Sequence, residues 1–289
     1  MEDFLRTTRY CDYGHPAIRH TAQSLRRTYG GDGHCELAAG IYDFVSENIE
    51  YQVGKWNWLA SETLARRAGT CTNNANLMVS LLRACDVPAG YRIMRVRGDA
   101  YLGPVTPKRL ARHIAPTSTH IYVAVHLHGR WLQCDPSNDY ALSLGIQHLN
   151  PPSGLVRWNA TGDAPLNIDR RHVLADTGPI ADIDPLMTKR NRPLVRLGLQ
   201  MSNHYIHYLR HHGSGHDTLH SLKSGFTNWL RTNYPMSYVL YMAAPYWPVR
   251  HRGHKAPLAP DTADGQTTNA ASGSGAREDQ YCVLPAESE

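Results

Sequence analysis

Apolar residues recur at helical spacing twice before residue 50. Residues 15–29 (HPAIRHTAQSLRRTY) and 34–48 (HCELAAGIYDFVSEN) each predict a helix, and in the second Leu37, Ile41, Phe44 and Val45 share one face. Gly30, Gly31 and Gly33 lie between them, as a turn requires. Ile49 to Val53 reads as a short extended piece. A further short helix is predicted at 61–68 (SETLARRA), with Ser61 at its start, Glu62 in its first turn and Ala68-Gly69 as a C-cap signature. Residues 72–85 (TNNANLMVSLLRAC) carry Ala75, Leu77, Met78, Leu81, Leu82 and Cys85 and predict a largely buried helix that ends before Pro88.

The period then changes from helix to strand. Tyr91 to Val96 and His120 to Leu127 alternate as strands do, and residues 98–118 between them predict a long loop. His128-Gly129-Arg130 predicts a tight hairpin, with Trp131 to Cys134 as the returning strand. Residues 150–195 are rich in Pro, Gly and Asp and show no regular period. Residues 196–212 and 218–232 predict helices. From about 251 the composition falls to Gly, Ser, Thr, Ala and Pro, which predicts a disordered tail. The expected organisation is α+β: a core over 1–175, a mostly helical accessory region over 176–250 and the tail over 251–289.

Bulk composition mainly removes possibilities. A chain of 289 residues with 42% apolar and 19% charged positions has enough material for a hydrophobic core. Thirty basic against twenty-five acidic residues gives +5, without a basic run, and does not point to a nucleic-acid partner. No run approaches 18 apolar residues and the N-terminus lacks an apolar leader, so the expectation is a protein without a membrane partner. Cysteines 11, 35, 71, 85, 134 and 282 are far apart and form no Cys-x-x-Cys pair. That argues for free thiols in a reducing, cytoplasmic setting.

One of these thiols sits where chemistry is favoured. In Ala68-Gly69-Thr70-Cys71-Thr72 the glycine permits a sharp turn and the cysteine opens the buried helix. The positive end of the helix dipole and the free N–H groups there favour thiolate over thiol and can donate to an oxyanion. Further along, the hairpin brings positions near 120 roughly opposite positions near 138. His120 and Asp135 can therefore be neighbours, with the carboxylate fixing the imidazole tautomer. Rival histidines at 113, 126 and 128 lie close by, and Asp139 competes with Asp135.

These elements together resemble the transglutaminase-like superfamily. The residues that carry the resemblance are Gly69-Thr70-Cys71 opening a helix, LLRACDVPAGYR (81–92), the histidine strand and GRWLQCDPSND (129–139). It spans roughly residues 1–150. The resemblance implies a papain-related α+β fold with the cysteine helix packed on an antiparallel sheet. By it Cys71 is the nucleophile, His120 the base and Asp135 the third member of a catalytic triad, with Trp56 and Trp58 as candidates for the oxyanion or substrate contact. Such proteins transfer or hydrolyse acyl groups through a thioester intermediate, without a cofactor. The expected partners are an acyl donor (a peptide amide or a carrier-bound thioester) and an amine acceptor, with the oligomeric state left open. Where family members often place an aromatic residue just after the cysteine, this chain has Thr72-Asn73-Asn74.

Three functions follow in order: an acyltransferase forming amide bonds, a peptidase or amidohydrolase with the same triad, and a non-catalytic interaction module on the same fold. Histidines 204, 207, 211, 212, 216 and 220 stand at helix-like intervals, yet no Glu lies between them as in zincin helices and Gly213-Ser214-Gly215 interrupts the run. They read as a partly exposed helix and loop, with no metal site. The aromatic residues Trp229, Tyr234, Tyr238, Tyr241, Tyr246 and Trp247 read as packing for the accessory region, or as the lining of an apolar acyl groove.

Overall fold

The computed structural model describes residues 1–31, 33–98, 105–112, 114–149, 154–188 and 196–246. Helices α1 (Pro16–Tyr29), α2 (His34–Asn48), α3 (Ala60–Arg66) and α4 (Cys71–Ala84) form the first half, with a two-residue parallel pair between β1 (Glu50–Tyr51) and β2 (Ala68–Gly69). A sheet follows, made of β3 (Ala89–Arg97), β4 (Thr117–Leu127), β5 (Arg130–Cys134) and β6 (Val173–Ile180) in the order β5-β4-β3-β6, every pairing antiparallel. Helices α5 (Tyr140–Ile146), α6 (Arg196–His212), α7 (Leu219–Asn233) and α8 (Pro235–Ala243) complete the chain.

Helix α4 is the centre of the core. Leu77, Met78, Val79, Leu81 and Leu82 are fully buried, each stabilising the fold by about 2 kcal/mol. Because every side of α4 is covered, its polar residues must be satisfied internally. Asn76 donates to the Tyr10 carbonyl and accepts from the Tyr91 hydroxyl. Arg83 donates to the carbonyls of Ala89, Arg6 and Ala181. Alternate residues Ile121, Val123, Val125 and Leu127 of β4 join this core, whereas Tyr122 faces a smaller cluster with Met94, Val96 and Ile168 on the other side of the sheet. A second large cluster joins Met201, Tyr205, Leu209, Phe226, Leu230 and Tyr241 to Leu142 and Ile146 of α5, and Tyr51 of β1 packs against it, so the C-terminal helices meet the first half there.

Some elements differ from the sequence reading. Helix α3 ends at Arg66, two residues before Ala68: Arg67 takes the left-handed conformation at φ 51° and closes it. Gly69 is instead a strand residue under close approach, since a Cβ there would stand 2.6 Å from Asn74 Oδ1 and 2.7 Å from Asn73 Cβ. The hairpin turn is His128-Gly129, both at positive φ, as a two-residue turn matching strand twist demands. Strand β6 lies inside the segment without regular period; its Gly178-Pro179 hid it. The long loop at 98–118 holds a helical turn at Lys108–Ala111, and β4 begins at Thr117. The expected tail at 251–289, together with Trp247 and His113, lies outside the described residues. No helix of the described residues is long and apolar enough to cross a membrane.

Candidate active site

Cys71 is the first residue of α4, and local chemistry fixes that start. Thr70 is the N-cap: its hydroxyl accepts from the Asn73 N–H, and Asn73 Oδ1 accepts in return from the Thr70 N–H at 3.0 Å and its hydroxyl at 2.8 Å. This is a capping box with asparagine in the usual glutamate position. The shorter side chain leaves Asn73 Nδ2 free to donate to the Trp56 carbonyl at 3.0 Å. Asn74 Nδ2 donates to the Ser137 carbonyl at 3.3 Å, tying the helix start to the chain just after Asp135.

His120 and Asp135 come from β4 and the end of β5. The register pairs Val123 with Cys134, so three steps back along β4 and three on from Cys134 put His120 level with Ser137, one residue short of the expected 138. A one-residue slip changes which face a side chain occupies. In the observed register His120 and Asp135 share a face, and His120 Nε2 lies 2.7 Å from Asp135 Oδ2, with both side chains about nine-tenths buried. Asp135 Oδ1 accepts from the Ser137 N–H at 3.1 Å and from its hydroxyl. Behind His120, the Tyr122 ring stacks at 6.0 Å, and its hydroxyl is held by Asp176 and Arg92.

With Nε2 engaged by the carboxylate, Nδ1 is left for the thiol. The electrostatics of Cys71 reflect that. Burial opposes its ionisation, but the hydrogen bond and charge of His120 and the Ile121 N–H outweigh burial and hold the thiol below the ordinary cysteine value. Burial likewise disfavours imidazolium at His120, yet Asp135 and Cys71 push its pKa well above the usual histidine range. Asp135 is held below the usual carboxylate range against burial by His120 and Ser137. The three groups form one coupled proton system. Burial raises the thiols of Cys11, Cys85 and Cys134, so Cys71 is the one shifted toward thiolate among these four. It is also half-buried where they are buried.

The rival residues have other roles. Asp139 caps α5 through the Leu142 N–H and forms a buried ion pair with Arg210 at 2.7 Å. His126 packs edge-on against Trp131, and His128 Nε2 lies 2.8 Å from Cys35 Sγ, away from Cys71. Trp56 reaches the site through its main-chain carbonyl, and the Trp58 ring lies under the Arg66 guanidinium at 4.6 Å. His204 and His207 pack near Trp229 with burial lowering both pKa values, and His216 hydrogen-bonds Tyr208. Among the described residues no three His, Cys, Asp or Glu side chains converge as metal ligands.

Two residues at the site escaped the sequence reading. Ser137 gave a signal only through its position two after Asp135, the spacing of an Asx turn. Tyr51 gave none, because its place depends on pairing with Gly69. The charges of Cys71 and Asp135 both act on its phenol, after burial the main causes that raise its pKa.

The family model described as the transglutaminase-like superfamily matches residues 19–136, a span that includes Cys71, His120 and Asp135. Among solved structures, the chain is similar to one from Cytophaga hutchinsonii whose title names a "putative cysteine protease", at 23% identity and a TM-score of 0.34. That match covers 46% of this chain and 40% of the other, so the chain spans less than half of that relative's length. A search of the curated proteins found no match. The superfamily match supports a cysteine-dependent catalytic role in general.

Proposed function

We propose that this protein, whose N-terminal half is a transglutaminase-like core, is an acyltransferase that carries its acyl group on Cys71. The observation that carries the reading is the alignment of a thiol at a helix N-terminus with an imidazole whose far nitrogen is anchored 2.7 Å from a buried carboxylate. In the resting state Cys71 and His120 share a proton as thiolate and imidazolium. The thiolate attacks the carbonyl carbon of an amide or thioester, and the C–S bond forms as the carbonyl π pair moves onto oxygen. As that pair returns, the leaving group departs with the proton from Nδ1 of His120. An amine then attacks the thioester carbonyl and gives its proton to His120; the C–N bond forms, the C–S bond breaks with its pair returning to Cys71, and the acyl group leaves as an amide. Asp135 keeps the ring oriented and its positive charge stabilised throughout.

The expected partners are a peptide amide or carrier-bound thioester as donor and an amine as acceptor. Water in place of the amine makes the same machinery a peptidase or amidohydrolase. The test is mass spectrometry of the protein after brief exposure to phenyl thioacetate, followed by addition of butylamine. The expected result is an acetyl group on the Cys71 peptide that is released as N-butylacetamide. Acetate as the sole product in excess amine would establish hydrolysis instead, and no adduct on Cys71 would refute both readings.

A further inference from the structure

The C-terminal helices lie outside the segment matched by the superfamily, yet α6 grips the chain beside Cys71. Tyr51 pairs with Gly69, and the Gln52 N–H donates to the Gly69 carbonyl at 2.9 Å. This parallel step places Tyr51 alongside the strand that runs into Cys71 two residues later. Both main-chain polar groups of Tyr51 are held from elsewhere: its N–H donates to Asp139 Oδ2 at 2.9 Å, and its carbonyl accepts from Arg210 at 2.9 Å. Arg210 and Asp139 are themselves ion-paired at 2.7 Å with side chains 5% and 6% exposed. Two turns earlier on α6, Asn203 brackets Val53, accepting from its N–H at 2.9 Å and donating to its carbonyl at 3.0 Å. The Tyr51 ring packs on the cluster that contains Met201, Tyr205 and Leu209. Among the described residues its hydroxyl makes no hydrogen bond, although the hydroxyls of Tyr91, Tyr122, Tyr140, Tyr205 and Tyr208 all do.

We propose that Tyr51 is a catalytic residue whose hydroxyl donates to the oxyanion formed at Cys71, and that Arg210 is a positioning residue that holds it there from α6. The inference rests on the acyl-transfer reading of Cys71. As the thiolate adds to the carbonyl, negative charge appears on oxygen while the C–S bond forms. The Tyr51 O–H shares its hydrogen with that oxygen and transfers no proton; the oxygen pair then re-forms the carbonyl as the leaving group departs with its bonding pair and the proton from His120. Burial and the neighbouring negative groups keep the phenol protonated at neutral pH, as a donor must be. An O–H without a hydrogen-bond partner among the described residues is free to donate to the oxyanion, and an interaction that is stronger with the oxyanion than with the ground-state carbonyl raises the rate of the chemical step. The assignment differs from the Trp56 and Trp58 candidates, and it makes the accessory helices part of the catalytic apparatus.

The experiment uses the full chain with phenyl thioacetate as acyl donor and iodoacetamide as a probe of the thiolate, since alkylation creates no oxyanion. Tyr51→Phe is expected to lower the acylation rate about 100-fold, the usual loss for one oxyanion donor. Alkylation of Cys71 should stay within about threefold of the parent. Arg210→Gln should lower acylation about tenfold in the parent and by no more than about twofold in the Tyr51→Phe background, as expected when both act through one group. Arg210→Lys should recover part of the loss. Parent-like acylation by Tyr51→Phe, or an equal loss of alkylation and acylation, would overturn the role of Tyr51. A full Arg210→Gln loss in both backgrounds would overturn the positioning role. Undiminished turnover of the thioester by Cys71→Ala would instead remove the reading on which the inference stands.

Discussion

Replacing Asp135 by Asn separates the charge of the third residue from its shape. The amide oxygen can still accept from His120, so the ring keeps its place. What is lost is the negative charge beside the imidazolium, whose Nε2 lies 2.7 Å from the carboxylate. With charge centres about 4 Å apart and an effective dielectric of about 20, that attraction is about 4 kcal/mol. Asp135 also repels the Cys71 thiolate, as the direction of its effect on that thiol shows. The imidazole stands between them, so the separation is about twice as long and the repulsion about 2 kcal/mol on the same scale. The net loss of ion-pair stability is therefore about 2 kcal/mol, which makes the equilibrium constant for forming the thiolate about 30-fold smaller. The assay is the rate of Cys71 alkylation by iodoacetamide as a function of pH. The parent should reach its plateau below the ordinary cysteine pKa, because His120 lowers that of Cys71. The Asp135→Asn profile should lie about 1.5 pH units higher, so that below the parent's plateau it reacts about 30-fold more slowly and it reaches the parent rate only at higher pH. An unchanged profile would refute the claim that Asp135 stabilises the ion pair and would leave it an orienting role only.

Other consequences can be measured independently. In the native protein iodoacetamide should modify Cys71 well before Cys11, Cys85 and Cys134, whose thiols are buried and shifted upward; peptide mapping at low conversion reads the order. Cys71→Ala should abolish thioester turnover and leave the thermal midpoint within about 2 °C of the parent, because this half-buried residue contributes little packing. Gly69→Ala should destabilise the fold by about 1–3 kcal/mol in urea titration, since the new methyl meets Asn73 and Asn74 where the helix start leaves no room. The native pKa of Asp135 is depressed, so its stabilisation is present above about pH 4 and is lost as pH falls through the native value; that of His120 is raised, so its contribution is complete below about pH 6.5 and is lost as pH rises through its native value. Urea midpoints should therefore decline on both sides of that window, and less steeply in Asp135→Asn.

What the sequence disclosed and what it withheld divide along a physical line. Helices α1, α2 and α4 were legible to within a residue or so because each writes its burial at 3.6-residue spacing in its own sequence. The β4–β5 hairpin was legible because His128-Gly129 states the turn, and the turn then sets which side chains face each other. Cys71, His120 and Asp135 could be named as candidates for that reason: one opens a helix, and the other two are joined by a local hairpin. Tyr51, Asn203 and Arg210 could not be found this way. The contact between Tyr51 and Arg210 spans 159 residues, and nothing around either position records the other. Asp139 illustrates the same limit. As a residue in a string after a strand it was interchangeable with Asp135, and only the arrival of α6 turns it into the partner of a buried arginine. A carboxylate so placed needs a cation, because leaving it unpaired after folding costs several kcal/mol. Asp135 meets that need with His120 and Asp139 meets it with Arg210. Two acids four residues apart are thereby committed to different tasks, one to holding the imidazole and the other to holding the accessory helix against Tyr51.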